Sequence, residues 1–197
     1  MLGGTFDPVH YGHLRLAENA READGLSLDR VLFVPAGQPW RKKDRVISHG
    51  SHRAAMLSRA VEENPAFEMS TVELERDGPS YTVDTLEFLH RQYPDTEFFL
   101  IMGEDALADL PNWREPQRII SLAQLAVASR RESNGGRRDE VESLSVGAWE
   151  RIVRVPMEPL EISGSAIRDK VRRGLSVRYL VPDAVRLYIA DRGLYLE

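Results

Sequence analysis

The 197-residue sequence predicts an α/β fold, a doubly wound and mainly parallel Rossmann-like sheet with C-terminal helices. Short apolar runs typical of buried parallel strands alternate with segments whose apolar residues recur at helical spacing. A pair of glycines follows the first apolar residues, as expected where a strand turns into a ligand-binding helix. The length suits a single domain over residues 1–197 with one good-sized core.

The elements follow from these patterns in chain order. The first strand has only Met1 and Leu2 before the glycines, so we expect it to be truncated, with a start codon placed too late. Residues 130–147 are polar, charged and glycine-containing, which predicts a mobile surface segment. The other predicted strands cover 31–34, 67–74, 98–102, 125–128 and 152–155. The predicted helices cover 10–24, 52–63, 81–93 with Ser80 as N-cap, 119–122, 164–173 and 182–191.

Composition excludes several classes of function. Apolar residues make up 42% of the chain and charged residues 29%, which is ordinary for a globular protein. The net charge of −5 argues against a general nucleic-acid binder, and no apolar run is long enough to span a membrane. The sequence has no cysteine, which excludes disulfides and thiolate metal sites and fits a cytoplasmic protein. It does not determine the oligomeric state, and a homodimer is compatible with it.

The chain is organised around the stretch from Gly3 to Leu14. His10 and His13 are three residues apart and share one face of the first helical turn, where backbone N–H groups and the positive end of the helix dipole lie. This combination predicts an anion site, and phosphate is the obvious anion. Two alternatives are a pair of surface histidines and a zinc site, although zinc histidines on a helix are usually four apart. The glycine positions also differ from the dinucleotide fingerprint of oxidoreductases.

A second motif lies at residues 162–168. It places Ser163 and Ser165 at a predicted helix N-terminus, with Arg168 about one turn later, as in a phosphate-binding turn. A plain serine cap explains the same spacing equally well. Both motifs, and the stretches 35–42 and 103–105, come directly after or near the ends of predicted strands. Because the carboxyl ends of parallel strands share one edge of the sheet, we expect these stretches to form a single site.

These motifs resemble those of a known family. The run Gly3-Gly4-Thr5-Phe6-Asp7-Pro8-x-His10-x-Gly12-His13 resembles the signature of nucleotidyltransferases with a (His/Thr)-x-Gly-His motif, and most closely that of bacterial nicotinate-nucleotide adenylyltransferases. Residues 162–168 resemble the Ile-Ser-Ser-Thr-x-Ile-Arg of that family, with Gly164 in place of a serine. The resemblance implies the formation of deamido-NAD from ATP and nicotinate mononucleotide, with Mg²⁺ bound together with ATP and no dedicated protein ligands for the metal.

The resemblance also implies roles for individual residues. The catalytic residues would be His10, His13 and Arg168. The ATP-binding residues would be Gly3, Gly4, Thr5, Phe6, Gly12, Gly103, Asp105, Arg130, Ile162 and Ser163. The residues for nicotinate mononucleotide would be Asp7, Lys42, Tyr81, Thr82 and Trp113. Without the resemblance, Asp105 reads as a helix cap, Trp113 as a core residue and Arg130 as a solvated side chain, and Trp40-Arg41-Lys42 departs from the usual His-Lys of the family.

The implied reaction needs no general base, because the attacking phosphate oxygen is already ionised near neutral pH. It needs alignment of the reactants and donors for the charge that grows on phosphate oxygens. Two rivals are sister enzymes that act on phosphopantetheine or on the amide mononucleotide. A third, from another class, is a non-catalytic nucleotide-binding regulatory domain.

Overall fold

The computed structural model describes residues 1–39, 46–129, 138–158 and 160–196. Six strands form one sheet in the order β3-β2-β1-β4-β5-β6, and every pair of neighbours is parallel. The strands are β1 (Leu2–Gly4), β2 (Val31–Pro35), β3 (Phe67–Met69), β4 (Phe99–Gly103), β5 (Gln124–Ser129) and β6 (Val153–Pro156). The chain order reverses between β1 and β4, which places a topological switch point beside the glycine turn.

The helices lie between and after the strands. In chain order they are α1 (Tyr11–Glu22), α2 (Gly50–Val61), α3 (Val72–Glu75), α4 (Thr82–Gln92), α5 (Glu104–Asp109), α6 (Pro116–Leu122), α7 (Arg138–Glu142), α8 (Gly164–Arg172) and α9 (Asp183–Asp191). A turn of 3₁₀ helix at Leu110–Asn112 follows α5. No helix in these described ranges is both long and apolar enough to cross a lipid bilayer.

The sheet is buried on both faces, as the continuous apolar runs of its central strands predict. Side chains of β4 alternate between faces: Ile101 belongs to one apolar cluster, and Leu100 and Met102 belong to the other. The first cluster includes residues of α1, α2, α8 and α9, and the second includes residues of α4, α5, α6 and α7. This arrangement confirms the predicted doubly wound sheet with C-terminal helices.

Two local predictions are wrong. The strand predicted over 67–74 stops at Met69, where Ser70 N–H donates to the Phe33 carbonyl at 2.9 Å, and α3 follows. This turn places the buried Glu73 carboxylate where it accepts a hydrogen bond from Thr85 Oγ1 at 2.7 Å. Ser80 is not the N-cap of α4, because its hydroxyl accepts hydrogen bonds from the backbone N–H groups of residues 37 and 38 instead.

The structure describes only part of the segment predicted to be mobile over 130–147, so that prediction stays a prediction. Residues 130–137 lie outside the described residues, but Arg138–Glu142 form a short helix whose Val141 is completely buried in the second apolar cluster. The described part of the segment is therefore attached to the core. The sequence analysis also missed α5. Its Leu107 and the C-cap residue Leu110 are three residues apart and both buried, which is the spacing of one helix face.

Candidate active site

A pocket of about 250 Å³ opens at the carboxyl edge of the sheet, beside the switch point between β1 and β4. It collects residues from the turn after β1, from the segment before α2 and from the start of α8. Its lining consists of Thr5, Phe6, Asp7, Pro8, His10, His13, Val46, Ile47, Ser163, Gly164, Ser165 and Arg168. The two motifs singled out in the sequence therefore share one cleft, although more than 140 residues separate them in the chain.

The histidine pair stands at the N-terminus of α1. The rings of His10 and His13 are stacked, with centroids 3.7 Å apart and planes 23° from parallel. The ring of Phe6 meets His13 edge to face at 5.0 Å and is itself buried in the core, with φ at 50°. The Phe6 side chain thus packs against the His13 imidazole, and the role predicted for Phe6 in ATP binding remains a prediction.

Backbone contacts decide which nitrogen of His13 carries the proton. The backbone N–H of His10 donates to His13 Nδ1 at 3.3 Å, so Nδ1 must act as an acceptor. In a neutral imidazole the proton is then on Nε2. His13 is therefore held in the tautomer that presents an N–H donor from the far side of its ring.

His10 is buried, and burial lowers its pKa from 6.5 to about 4. The imidazole is therefore neutral at physiological pH and contributes a hydrogen-bond donor rather than a full charge. His10 Nδ1 is buried without a hydrogen-bond partner among the described residues, and a Cβ on Gly12 would lie only 3.0 Å from it. A buried orphan N–H is costlier than a buried orphan acceptor, which favours the proton on Nε2. Gly12 leaves the room in which this ring packs.

Among the described residues that line the pocket, Arg168 is the one with a full positive charge. Its Nη1 donates to the backbone carbonyl of Asp7 at 2.6 Å, which joins α8 to the turn that carries the histidines. Gly164 lets the two segments approach closely, because a Cβ at this position would lie 3.0 Å from the same carbonyl oxygen. The departure from the serine of the family motif thus coincides with a tight contact.

Ser163 has the role of a helix cap. Its hydroxyl accepts a hydrogen bond from the backbone N–H of Ala166 at 3.2 Å and lies 3.2 Å from the Ser165 hydroxyl. The plain-cap interpretation of this serine is therefore correct for its side chain. The cap also directs the N-terminus of the nine-residue α8 toward the pocket, where its backbone N–H groups and dipole favour an anion.

Other predicted residues do not line this pocket. Gly3 and Gly4 are the last residues of β1, and the Cβ of an alanine at position 4 would meet the Phe6 ring at 2.9 Å. Gly103 ends β4, and the exposed Asp105 lies in the first turn of α5. Ile162 packs at the edge of the first apolar cluster, in front of α8. The ATP-binding roles predicted for these residues remain predictions.

Three of the residues predicted for nicotinate mononucleotide, Tyr81, Thr82 and Trp113, are not part of this pocket lining. Tyr81 is the N-cap residue and Thr82 the first residue of α4, and the guanidinium of Arg114 lies 4.7 Å from the centre of the Tyr81 ring. Trp113 is partly buried against the second apolar cluster, and its Nε1 donates to Asp109 at 3.0 Å. Its core-packing role is visible, and stacking on a ligand remains a prediction. Lys42 and Arg130 lie outside the described residues.

Asp7 was predicted to bind nicotinate mononucleotide, but both of its carboxylate oxygens contact the protein itself. Oδ1 accepts a hydrogen bond from the Tyr195 hydroxyl at 2.6 Å, and Oδ2 accepts one from the Ser48 N–H at 3.2 Å. The side chain is also buried. In this geometry the carboxylate connects three segments of the chain.

The sequence analysis missed Arg53, which is 2% exposed and joins the same loops. Its guanidinium donates to the carbonyls of Thr5 at 2.9 Å, Gly37 at 3.2 Å and Ser48 at 3.0 Å. A signal was available, because Arg53 occupies the apolar stripe of α2 together with Met56 and Leu57. No comparable signal marks Tyr195, whose role depends on where the end of the chain folds.

The donors around the pocket suit phosphate oxygens more than a metal ion. They are imidazole and guanidinium N–H groups together with the N-termini of α1 and α8. Within the described ranges, no three His, Cys, Asp or Glu side chains are grouped so that they could hold a metal. The described lining of this pocket therefore fits a ligand that carries phosphate groups.

The sheet order, the glycine turn at the switch point and the two helix N-termini define a doubly wound α/β protein with a phosphate-binding pocket. Residues 1–170 match the cytidylyltransferase-like family. Solved structures of Plasmodium falciparum nicotinic acid mononucleotide adenylyltransferase, complexed with APC or with NaAD, have the same fold, with a TM-score of 0.75 over 100% of this chain and 97% of theirs. Their sequence identity to this chain is only 17% and 18%.

Sequence relatives are much closer. A probable nicotinate-nucleotide adenylyltransferase from Thermomicrobium roseum is 46% identical over 99% of this chain and 90% of its own length. A protein of the same description from Corynebacterium kroppenstedtii is 44% identical over 100% of this chain and 90% of its own length. The chain belongs to the nicotinate-nucleotide adenylyltransferases within the cytidylyltransferase-like family.

Proposed function

We propose that this protein transfers the adenylyl group of ATP to nicotinate mononucleotide, forming deamido-NAD and releasing pyrophosphate in NAD biosynthesis. The observation that carries the proposal is the convergence of His10, His13, Arg168 and two helix N-termini on one pocket. The relatives of the same description, which are similar along the whole chain, support the choice of substrates.

In the chemical step, an oxygen of the 5′-phosphate of nicotinate mononucleotide forms a bond to the α-phosphorus of ATP. The bond between the α-phosphorus and the oxygen bridging to the β-phosphorus breaks, and its electrons leave with pyrophosphate. The attacking oxygen is already ionised, so no side chain has to remove a proton. The protein has to align the two phosphates and stabilise the charge that grows on the oxygens.

Each residue of the pocket has its own role in this step. His13 donates through Nε2, because its Nδ1 is occupied by a backbone N–H. His10 is a neutral donor at physiological pH because burial lowers its pKa to about 4. Arg168 contributes the guanidinium charge, and the amides at the start of α8 add donors that are fixed before the substrate arrives.

We expect Mg²⁺ to enter the site with ATP. When bound, the ion neutralises part of the charge of the triphosphate. Asp7, the acidic residue in the described lining of the pocket, already accepts two hydrogen bonds, so ATP oxygens and water would provide most of the coordination. We place the reaction in the cytoplasm, which a chain without cysteine fits.

The test is a coupled pyrophosphate assay with ATP and either nicotinate mononucleotide or its amide counterpart. We expect rapid pyrophosphate release with the acid and a clearly slower reaction with the amide. Equal rates on the two would remove the assignment to the acid substrate. Nucleotide binding without pyrophosphate release from either would support the alternative of a non-catalytic nucleotide-binding domain. His13→Ala is the matched control, because it removes one donor at the surface of the pocket and leaves the core intact.

A further inference from the structure

The C-terminal end of the chain reaches into the turn that carries the catalytic histidines. The Tyr195 hydroxyl donates to Asp7 Oδ1 at 2.6 Å, across 188 positions of sequence. It also lies 3.9 Å from the sulfur of Met56, on the buried side of α2. The Tyr195 hydroxyl therefore contacts the Met56 side chain and donates its hydrogen bond to the Asp7 carboxylate.

The position of Asp7 influences both Arg168 and His10. Its carbonyl oxygen accepts the hydrogen bond from Arg168 at 2.6 Å, and His10 follows only three residues later. A displacement of Asp7 would therefore move the anchor of the guanidinium and the start of α1 together. Both groups have to meet phosphate oxygens within hydrogen-bond distance for catalysis.

The Tyr195 hydroxyl stays protonated, as a hydrogen bond donated to Asp7 requires. Burial and the neighbouring Asp7 carboxylate raise the pKa of Tyr195 above its ordinary value, so the phenol keeps its proton and donates. The second carboxylate oxygen accepts the Ser48 N–H at 3.2 Å, and Arg53 holds the Ser48 carbonyl at 3.0 Å. The turn is thus supported by α2 on one side and by the C-terminal residues on the other.

We propose that Tyr195 is a positioning residue for adenylyl transfer: its hydroxyl fixes the Asp7 carboxylate, and through it the placement of His10 and Arg168. In this arrangement Asp7 acts on the protein itself, and not on nicotinate mononucleotide. The proposal rests on the proposed adenylyltransferase function and adds to it a residue outside the two motifs.

The first experiment compares Tyr195→Phe with Tyr188→Phe. The second variant is a matched control, because it also removes one tyrosine hydroxyl from the C-terminal region, one that lies 2.9 Å from His52 Nδ1 rather than at the pocket. For Tyr195→Phe we expect kcat to fall roughly tenfold, with the KM for ATP and for nicotinate mononucleotide within about twofold of wild type. Tyr188→Phe should keep the wild-type kcat.

The melting temperature is measured on the same samples. A merely structural role would lower the melting temperature of Tyr195→Phe and leave kcat unchanged at assay temperatures well below it, and that result would overturn the proposal. Equal kcat losses in Tyr195→Phe and Tyr188→Phe would overturn it as well. A wild-type protein that releases no pyrophosphate would instead count against the proposed function itself.

A double-mutant cycle with Asp7→Asn shows whether Tyr195 acts through Asp7. We expect the double variant to have the kcat of Asp7→Asn within about twofold, because the second change removes a partner that the first has already disturbed. Fold losses that multiply in the double variant would overturn the proposal. So would a raised KM for nicotinate mononucleotide in Asp7→Asn with kcat unchanged, since that pattern indicates a direct contact between Asp7 and substrate.

Discussion

Because buried His10 is neutral, the free energy of unfolding of this protein should decrease in acid. The substitution His10→Asn should remove this part of the pH dependence. Burial lowers the pKa of His10 from 6.5 to about 4, so between these values the unfolded chain binds a proton that the folded chain does not. Stability therefore decreases as the pH falls through 6.5, and the loss is complete below a pH of about 4. At a pH of about 4.5, the two pKa values give a loss of roughly 2.5 kcal/mol relative to neutral pH.

The assay is urea unfolding of wild type and of His10→Asn at neutral pH and at a pH of about 4.5, followed by tryptophan fluorescence. Other groups titrate in both proteins, so the difference between their pH dependences isolates His10. We expect wild type to lose roughly 2.5 kcal/mol more than His10→Asn over this range. His52→Asn is the control for removal of a histidine outside the pocket. Equal losses in wild type and His10→Asn would refute the assignment of a buried, neutral imidazole.

Three further changes test other parts of the site. His13→Ala should lower turnover by roughly a hundredfold in the pyrophosphate assay with little change in unfolding, since one preorganised donor is lost from the edge of the fold. Gly12→Ala should lower kcat by about tenfold, because its Cβ would lie 3.0 Å from His10 Nδ1 and would displace the ring; a wild-type kcat would show that the ring position is unimportant. Arg53→Lys should lower the free energy of unfolding by about 3 kcal/mol, because an ammonium group cannot reach all three carbonyls; urea unfolding measures it, and a loss below about 1 kcal/mol would contradict the structural role.

Local chemistry made the strands and most helices predictable. The run Phe98 to Met102 has apolar residues at every position, as expected of a strand buried on both faces, and β4 follows it closely. The spacing of His10 and His13 likewise placed both on the first turn of α1. Errors arose where a distant contact outweighed a local preference. Ser80 is a residue type typical of an N-cap, but its hydroxyl accepts hydrogen bonds from the backbone N–H groups of the loop after β2 instead.

The class of this protein could be predicted from local patterns: alternating strands and helices, a glycine turn with two histidines and a second turn with an arginine. These features depend on residues that are close together in the sequence, so they can be predicted from the sequence. Three contacts became known from the folded chain: Arg168 donates to the Asp7 carbonyl, Arg53 joins three loops, and Tyr195 donates to Asp7 from the C-terminal end. Such contacts join segments far apart in sequence, and their energies depend on burial and distance that no local pattern encodes.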